Sequence, residues 1–191
     1  MIDLPQPLTK SGVSLEEAII KRRSVRNLKD VPLTQEEISQ LLWSAQGVTD
    51  KNSKYRSAPS AGARYPIELY ALTQEGLFHY HPLKHAIEKI RSVDIRQKVS
   101  EAAMQQPCIK QAPFTVVIAA NYAKLTSRYD KKGVRYADME AGHIAQNVLL
   151  QAAALGLAGV PVGAFLEDVM IKTLDLPEDL KPIYLIPVGH Y

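Results

Sequence analysis

The sequence predicts an α+β fold in which helices flank a small, mostly antiparallel sheet. Residues 67–73 and 77–81 have strand patterns on either side of Gly76, which is typical of a β-hairpin. Residues 113–120 are almost all apolar and rich in β-branched side chains, which indicates a buried central strand. The longest helical pattern, residues 136–155, is apolar around most of its circumference and predicts a long buried helix.

The length and composition are those of one globular domain. Of the 191 residues, 46% are hydrophobic and 23% are charged, which is ordinary for a chain that buries a sizeable core. We therefore expect a single domain spanning residues 1–191. Its first part, residues 1–13, contains Pro5, Pro7 and Gly12 and is expected to be an extended lead-in.

Charge, cysteine content and hydropathy exclude several classes of protein. The net charge is only +3 and the cations are mostly scattered, so a nucleic-acid-binding face is not expected. Cys108 is the only cysteine, which excludes an intramolecular disulfide, and no Cys/His spacing predicts zinc. No apolar run approaches the ~18 residues of a membrane span, and the N-terminus lacks a signal-peptide pattern. These features predict a cytoplasmic protein that does not bind membranes.

The first helix begins at Ser14, which forms a capping-box pattern with Glu17. Its apolar face is expected to contain Leu15, Ala18 and Ile19. The helix ends in a cationic segment, residues 21–26, with the sequence K-R-R-S-V-R. Cations stabilise the C-terminal end of a helix, and arginine also suits phosphate geometry. This segment is therefore either a solvated helix end or an anion site.

The second helix begins at Thr34, which forms a capping-box pattern with Glu37, and it ends at Gly47. The polar residues 48–58 are expected to form a loop. This loop continues through four small residues, Ser60 to Ala63, which stand between two prolines. Small side chains let the backbone approach a flat ligand or a phosphate, although a tight surface connection would have the same composition.

The hairpin carries two histidines on one face. His79 and His81 are two residues apart, but no third metal ligand lies nearby in the sequence, so we interpret them as ordinary strand residues. Residues 83–90 are expected to form a short helical turn. Residues 94–105 are expected to form a helix that Pro107 ends.

Four polar residues stand out on the long helix, which is otherwise apolar: Glu140, His143, Gln146 and Asn147. Polar groups on a buried element need hydrogen-bond partners. Because Glu140 and His143 are three positions apart, they are predicted to form a hydrogen-bonded structural pair, with a catalytic role as the alternative.

Shorter elements precede and follow the long helix in the sequence. Residues 122–129 are expected to form a short helix that is broken at residues 131–133. Residues 158–165 are a second run of small residues, interpreted as a loop or a short strand. The last two predicted elements are a helix over residues 167–174 and a closing strand over residues 182–189.

Three segments share features that suit a flat, anionic cofactor. Residues 22–26 supply cations and a hydroxyl group, and residues 60–63 and 160–164 permit close approach of the backbone. No G-x-G-x-x-G motif follows a strand and no Walker motif is present, so neither a Rossmann nor a P-loop nucleotide site is predicted.

Four motifs together resemble the FMN-dependent nitroreductase family, most nearly its SagB/ThcOx-type dehydrogenase branch. They are R-R-S-x-R, P-S-A-G-A-x-Y-P-x-E-x-Y, E-x-G-H-x-A-Q-N and G-V-P-V-G-A-F. The resemblance extends in the same order from about Ser14 to Gly189. It implies a nitroreductase-like fold and an obligate homodimer with FMN at the subunit interface.

The resemblance also implies which residues hold the cofactor. The FMN phosphate, ribityl chain and pyrimidine edge would contact Arg22, Arg23, Ser24 and Arg26. A loop lying against FMN, usually from the partner subunit, would consist of Pro59, Ser60, Ala61, Gly62 and Ala63. The flavin ring would lie along Val160, Pro161, Val162, Gly163 and Ala164, with the N–H of Gly163 or Ala164 facing flavin N5.

Two departures from the family pattern bear on function. Many members continue into a Lys/Arg tail that grips the phosphate, whereas this chain ends at His190-Tyr191, so either His190 helps there or the arginines suffice. The usual loop asparagine is replaced here by Gly62 or Ala63, which weighs against nitroaromatics as natural substrates. The SagB-type branch oxidises azoline rings in peptides beside dedicated partner proteins.

The resemblance implies an FMN-dependent oxidoreductase that acts on a small-molecule substrate. NAD(P)H or an organic donor would reduce FMN, and an organic acceptor would reoxidise it, without need of a protein nucleophile. If a proton donor is required, the candidates are Tyr65, Tyr122 and Tyr136. A non-catalytic FMN storage or sensor protein is the alternative.

Overall fold

The computed structural model describes all 191 residues and contains nine strands, seven α-helices and one 3-10 turn at Ala61–Ala63. The strands are β1 (Ile2–Asp3), β2 (Val48–Asp50), β3 (Tyr55–Arg56), β4 (Ile67–Thr73), β5 (Gly76–His81), β6 (Ala86–Arg91), β7 (Phe114–Ala120), β8 (Ala158–Gly159) and β9 (Lys181–Gly189). The helices are α1 (Leu15–Lys21), α2 (Gln35–Gln46), α3 (Arg96–Ala102), α4 (Pro107–Gln111), α5 (Ala123–Tyr129), α6 (Lys132–Ala154) and α7 (Glu167–Leu174).

Seven strands form one sheet in the order β1-β6-β5-β4-β7-β9-β8, and every pairing within it is antiparallel. This confirms the α+β prediction and the predicted hairpin. The remaining strands, β2 and β3, form a small hairpin inside the stretch that the sequence predicted as loop. The long helix is also confirmed.

The sheet has an apolar core on each face. All seven residues of β7 are buried, and successive side chains of a strand point to opposite faces. Val116 and Ile118 therefore belong to the larger cluster, which includes α2 and α6. Val117 and Ala119 belong to the second cluster, with α3, α4 and α7.

Helix α1 leaves most of its predicted apolar face exposed. Its capping box between Ser14 and Glu17 is present. However, only Ala18 is buried, whereas Leu15, Ile19 and Ile20 are 62%, 52% and 70% exposed. The short helix contacts the fold along one narrow line, so most of its apolar surface remains uncovered in the single chain.

The predicted helical turn over residues 83–90 is wrong. Residues 82–85 form a tight turn, in which Lys84 N–H donates to the His81 carbonyl and His85 has a φ of 49°. The chain then continues as β6, since pairing with β5 satisfies its backbone groups. The sequence of residues 86–91 alone does not predict this strand, because its hydrogen-bond partners lie on β5.

Two helix boundaries also differ from the sequence prediction. The helix predicted over residues 94–105 ends at Ala102, and Pro107 begins α4 because proline suits the first position of a helix. Helix α6 begins at Lys132, four residues before the predicted start at Tyr136. A side chain on Gly133 would lie 2.6 Å from the backbone of Leu125, so this glycine permits close contact between α5 and α6.

None of the helices combines the length and the hydropathy that are needed to cross a membrane.

Candidate functional site

The cationic segment after α1 lies beside the second run of small residues. Ser24 forms a parallel β-bridge with Gly159, and Val25 N–H donates to the Gly159 carbonyl at 3.2 Å. Farther along this run, Val162 exchanges two hydrogen bonds with Leu185 of β9, at 2.8 and 2.9 Å. The fold therefore brings two of the three predicted cofactor segments together at one edge of the sheet.

The arginines of this segment have no carboxylate partner. None of Arg22, Arg23 and Arg26 takes part in an ion pair. Arg23 donates through Nη1 to the carbonyls of Ile20 and Arg22. Arg23 therefore stabilises the C-terminal end of α1, as expected if this segment is a solvated helix end. The charges of Arg22 and Arg26 remain uncompensated by the chain, which suits an anion site.

A cavity of about 610 Å³ adjoins this segment. Cationic residues on one side, Lys21 to Arg23, face small and aliphatic residues from the C-terminal end of α6 and from the following turn. Tyr191 closes another side. His190 is held nearby, because its carbonyl accepts from Lys29 N–H at 2.8 Å and Lys29 Nζ donates to the Tyr191 carbonyl at 2.9 Å.

The end of the small-residue run offers free backbone donors. Gly163 and Ala164 are exposed, and neither backbone N–H donates a hydrogen bond within the chain. The Ala164 carbonyl accepts from Gln106 Nε2 at 3.1 Å, which fixes the segment. An open, rigid backbone with unused N–H groups fits a flat ligand that carries hydrogen-bond acceptors.

The loop from Pro59 to Ala63 has a strained and well-fixed backbone. Gly62, Ala63 and Tyr65 have φ values of 61°, 52° and 47°, in the left-handed region. Tyr65 N–H donates to Ser60 Oγ at 2.8 Å and Ala63 N–H to the Ser60 carbonyl at 3.0 Å. Such strain persists only where the surroundings hold it, and it is commonly found at functional sites.

A buried polar network lies beneath this loop. Arg56 Nη1 donates to Gln46 Oε1 at 2.6 Å, and Gln46 Nε2 donates to Glu140 Oε1 at 3.1 Å. The Arg56 guanidinium also stacks on the Tyr65 ring at 4.3 Å from its centre. The network thus connects α2, α6 and the loop through side chains far apart in sequence.

Glu140 is the unusual member of this network. It is 1% exposed, and its Oε2 atom makes no hydrogen bond. Burial raises the pKa of its carboxyl to about 7, although Ser60, Gln46 and the charge of Arg56 oppose this rise. The predicted Glu140–His143 pair is wrong, since His143 points to solvent and the partner is Gln46.

Sequence reasoning missed Gln46 and Arg56. Gln46 follows the apolar stripe of α2 and is completely buried, whereas Arg56 lies within residues 48–58, which were expected to form a polar loop. The one feature of the sequence that could have identified Arg56 is its position directly before a run of small residues.

The Pro59–Ala63 loop and the sheet edge that carries the arginines remain apart in the single chain. The loop lies against α5 and α6, since a side chain on Gly62 would meet the Tyr129 hydroxyl at 2.6 Å. Glu140 lies beneath it, whereas Leu149, nine positions later on α6, lies beside Gly159. At a rise of about 1.5 Å per residue, these positions are roughly 13 Å apart along the helix.

The three tyrosine candidates differ in their surroundings. Tyr65 is engaged in the Arg56 network, where its hydroxyl accepts from Arg56 N–H at 3.2 Å. Tyr122 donates to Asp138 Oδ1 at 2.7 Å, and burial raises its pKa. Tyr136 contacts the Tyr129 ring edge-on, and its hydroxyl has no hydrogen-bond partner within the chain.

Comparison with known proteins assigns the fold and the family. The family model described as "Nitroreductase family" matches residues 19–190. The crystal structure of a Ralstonia eutropha protein described as a nitroreductase aligns with this chain with a TM-score of 0.91 and 30% sequence identity. The alignment covers 99% of this chain and 88% of the other. MJ1384 of Methanocaldococcus jannaschii, also named as a nitroreductase, is 42% identical over 183 residues, covering 93% of this chain and 91% of that protein.

Two more distant relatives have informative names. The microcin B17-processing protein McbC of Escherichia coli is 28% identical over 152 residues, which cover 74% of this chain. The FMN reductase (NAD(P)H) of Bacillus subtilis is 24% identical over 188 residues, which cover 91% of this chain. The matches span only 56% and 64% of these two relatives' own lengths. The match to the family model confirms the resemblance to the nitroreductase family, and a protein named for microcin B17 processing is among the relatives.

Proposed function

Because this chain belongs to the nitroreductase family, we propose that it is an FMN-dependent oxidoreductase of the SagB-type branch. FMN, when bound, would carry hydride between NAD(P)H or an organic donor and an organic acceptor. The observation that supports this most strongly is the pairing of uncompensated arginines with unused backbone N–H groups at one sheet edge. We further propose that residues 1–191 act as one FMN-binding domain in the cytoplasm.

The residues at this edge suit the two chemical ends of FMN. Arg22 and Arg26, with the Ser24 hydroxyl, would bind the phosphate and the pyrimidine edge, where cations stabilise negative charge. Arg23 would contribute its remaining donors, and His190, which directly follows the Gly189 that pairs with β8, would join the phosphate end. The segment from Pro161 to Ala164 would support the ring, and the exposed N–H of Gly163 or Ala164 would orient it.

We propose that the site is completed by a second copy of the chain. Within one chain, the Pro59–Ala63 loop lies away from the arginines, so it can reach bound FMN only from a partner subunit. The uncovered apolar residues of α1 and the 50% exposed Met139 on α6 provide a surface for such a homodimer. Burial of these side chains would contribute most of the association energy.

The substrate is proposed as a small organic molecule. The name of McbC suggests the precursor of a microcin as one substrate class, and that of the B. subtilis enzyme suggests free flavin as another. Tyr136, whose hydroxyl is unused within the chain, is the proposed proton donor if one is needed.

The test is a visible absorption spectrum of the purified protein, recorded without air before and after addition of NADPH or NADH. We expect oxidised-flavin bands that bleach and then return on addition of a quinone. Bands that persist with every donor tested would favour a storage or sensor role. A protein that binds no flavin after incubation with FMN would refute the proposal.

A further inference from the structure

Four potential metal ligands lie together on one face of the sheet. His79 and His81 project from the same face of β5, since they are two residues apart. His79 Nε2 is 3.1 Å from Glu68 Oε2 on β4, and His81 Nε2 is 2.9 Å from Glu88 Oε2 on β6. Ligand atoms of His79, His81 and Glu88 all lie within 4.8 Å of one another.

The third ligand comes from a strand that the sequence did not predict. His79 and His81 were interpreted as ordinary strand residues because no third ligand was near in sequence. Once residues 86–91 form β6, Glu88 stands directly opposite His79 in the register. Residues directly opposite on antiparallel strands have Cβ atoms only about 5 Å apart, so all three side chains can reach one ion.

We propose that His79, His81 and Glu88 bind a divalent transition-metal ion of the zinc class. Imidazole nitrogen and carboxylate oxygen are ligands that zinc prefers, and the cluster contains no thiol that would favour softer metals. Glu68 lies next to His79 and supplies either a fourth ligand or a hydrogen bond that orients the ring. Two carboxylates balance the charge of one divalent ion.

The spacing is compatible with coordination after small side-chain rotations. Zinc–nitrogen and zinc–oxygen distances of about 2.0–2.1 Å place tetrahedral ligands about 3.3 Å apart. The 2.9 Å contact between His81 and Glu88 is already shorter than that, and the widest pair must close by at most about 1.5 Å. The ring of His79 is held by stacking on Tyr70, with ring centres 4.9 Å apart, so one ligand is already oriented.

Solvent and competing charge also decide how the ion would bind. The cluster is partly exposed, and a cavity of about 420 Å³ reaches Glu68 and His79, so an ion can enter without unfolding. Lys124 Nζ is 2.7 Å from Glu68 Oε1 and competes for that carboxylate. We therefore expect three firm protein ligands, with Glu68 or water in the fourth position.

The experiment is calorimetric titration of zinc chloride into the metal-stripped full chain with FMN present, followed by elemental analysis after dialysis. We expect one zinc ion per chain, with affinity lowered at least about 10-fold in either His81→Gln or Glu88→Gln. His143→Gln and Glu75→Gln remove an exposed histidine and an exposed glutamate elsewhere and should bind zinc like the unmodified chain.

The outcomes separate this proposal from the flavin site. No saturable binding at sub-millimolar zinc would overturn it, as would unchanged affinity in both cluster variants. Far-UV circular dichroism and flavin content report whether a variant has folded. Each cluster ligand lies outside the segments proposed to hold FMN, so retained flavin with lost zinc is the expected result for both variants.

Discussion

Replacement of Glu140 by glutamine tests the buried network beneath the Pro59–Ala63 loop. Burial raises the pKa of this carboxyl from 4.5 to about 7. Between those two values the folded state keeps a proton that the unfolded state has released, so stability falls as the pH rises through this window. At about 1.4 kcal/mol for each pH unit, the ionised carboxylate costs roughly 3 kcal/mol of folding free energy above pH 7.

Glutamine removes that cost while preserving the shape of the side chain. Its oxygen can still accept from Gln46 Nε2, and an uncharged amide replaces the Oε2 atom that has no partner. We expect Glu140→Gln to be more stable than the unmodified protein by up to roughly 3 kcal/mol at about pH 8, and the difference to vanish near pH 4.5.

The assay is urea-induced unfolding followed by far-UV circular dichroism, at equal protein concentration and with excess FMN, across this pH range. Glu178→Gln is the matched control, because Glu178 is exposed and makes no hydrogen bond. Its stability should follow the same pH profile as that of the unmodified protein. A Glu140→Gln variant whose stability changes with pH as steeply as the unmodified protein would refute the reasoning.

Four further substitutions test the proposed cofactor site and the proposed dimer. Arg22→Ala or Arg26→Ala should each weaken FMN binding by ~1.5–3 kcal/mol in a fluorescence titration, because each removes a charge-assisted contact; unchanged affinity in both would reject the anion site. Gly62→Val should release FMN, since its φ of 61° and the 2.6 Å approach to Tyr129 exclude a side chain; a folded yellow variant would contradict this. Met139→Asp should shift sedimentation from dimer to monomer and lower flavin content, and an unchanged dimer would count against the α6 surface.

Elements that rest on local interactions were predictable from the sequence. The capping boxes at Ser14 and Thr34 join residues three positions apart, and both are present. Strand β7 and helix α6 have apolar patterns long enough to identify alone. Residues 22–26 also lie beside Gly159, which directly precedes the predicted segment 160–164, whereas the binding of FMN by these residues stays a prediction.

Features that rest on distant contacts were not predictable. Strand β6 depends on pairing with β5, and its own sequence, A-I-E-K-I-R, does not distinguish strand from helix. The partner of Glu140 is Gln46, 94 positions away, whereas the sequence offered only a neighbour on the same helix. The exposure of α1 could not be predicted because an amphipathic pattern does not say which apolar side chains another surface will cover.

The two outermost strands of the sheet have a consequence for how copies of this chain can associate. Both β1 and β8 are only two residues long, and the open part of β6 beside β1 carries Glu88, Lys89 and Arg91. Short edges and charged side chains discourage strand-to-strand addition, which is the route to uncontrolled aggregation. Association through a continuous intermolecular sheet is thereby disfavoured, and ordered self-assembly is directed to the helical surfaces of the molecule.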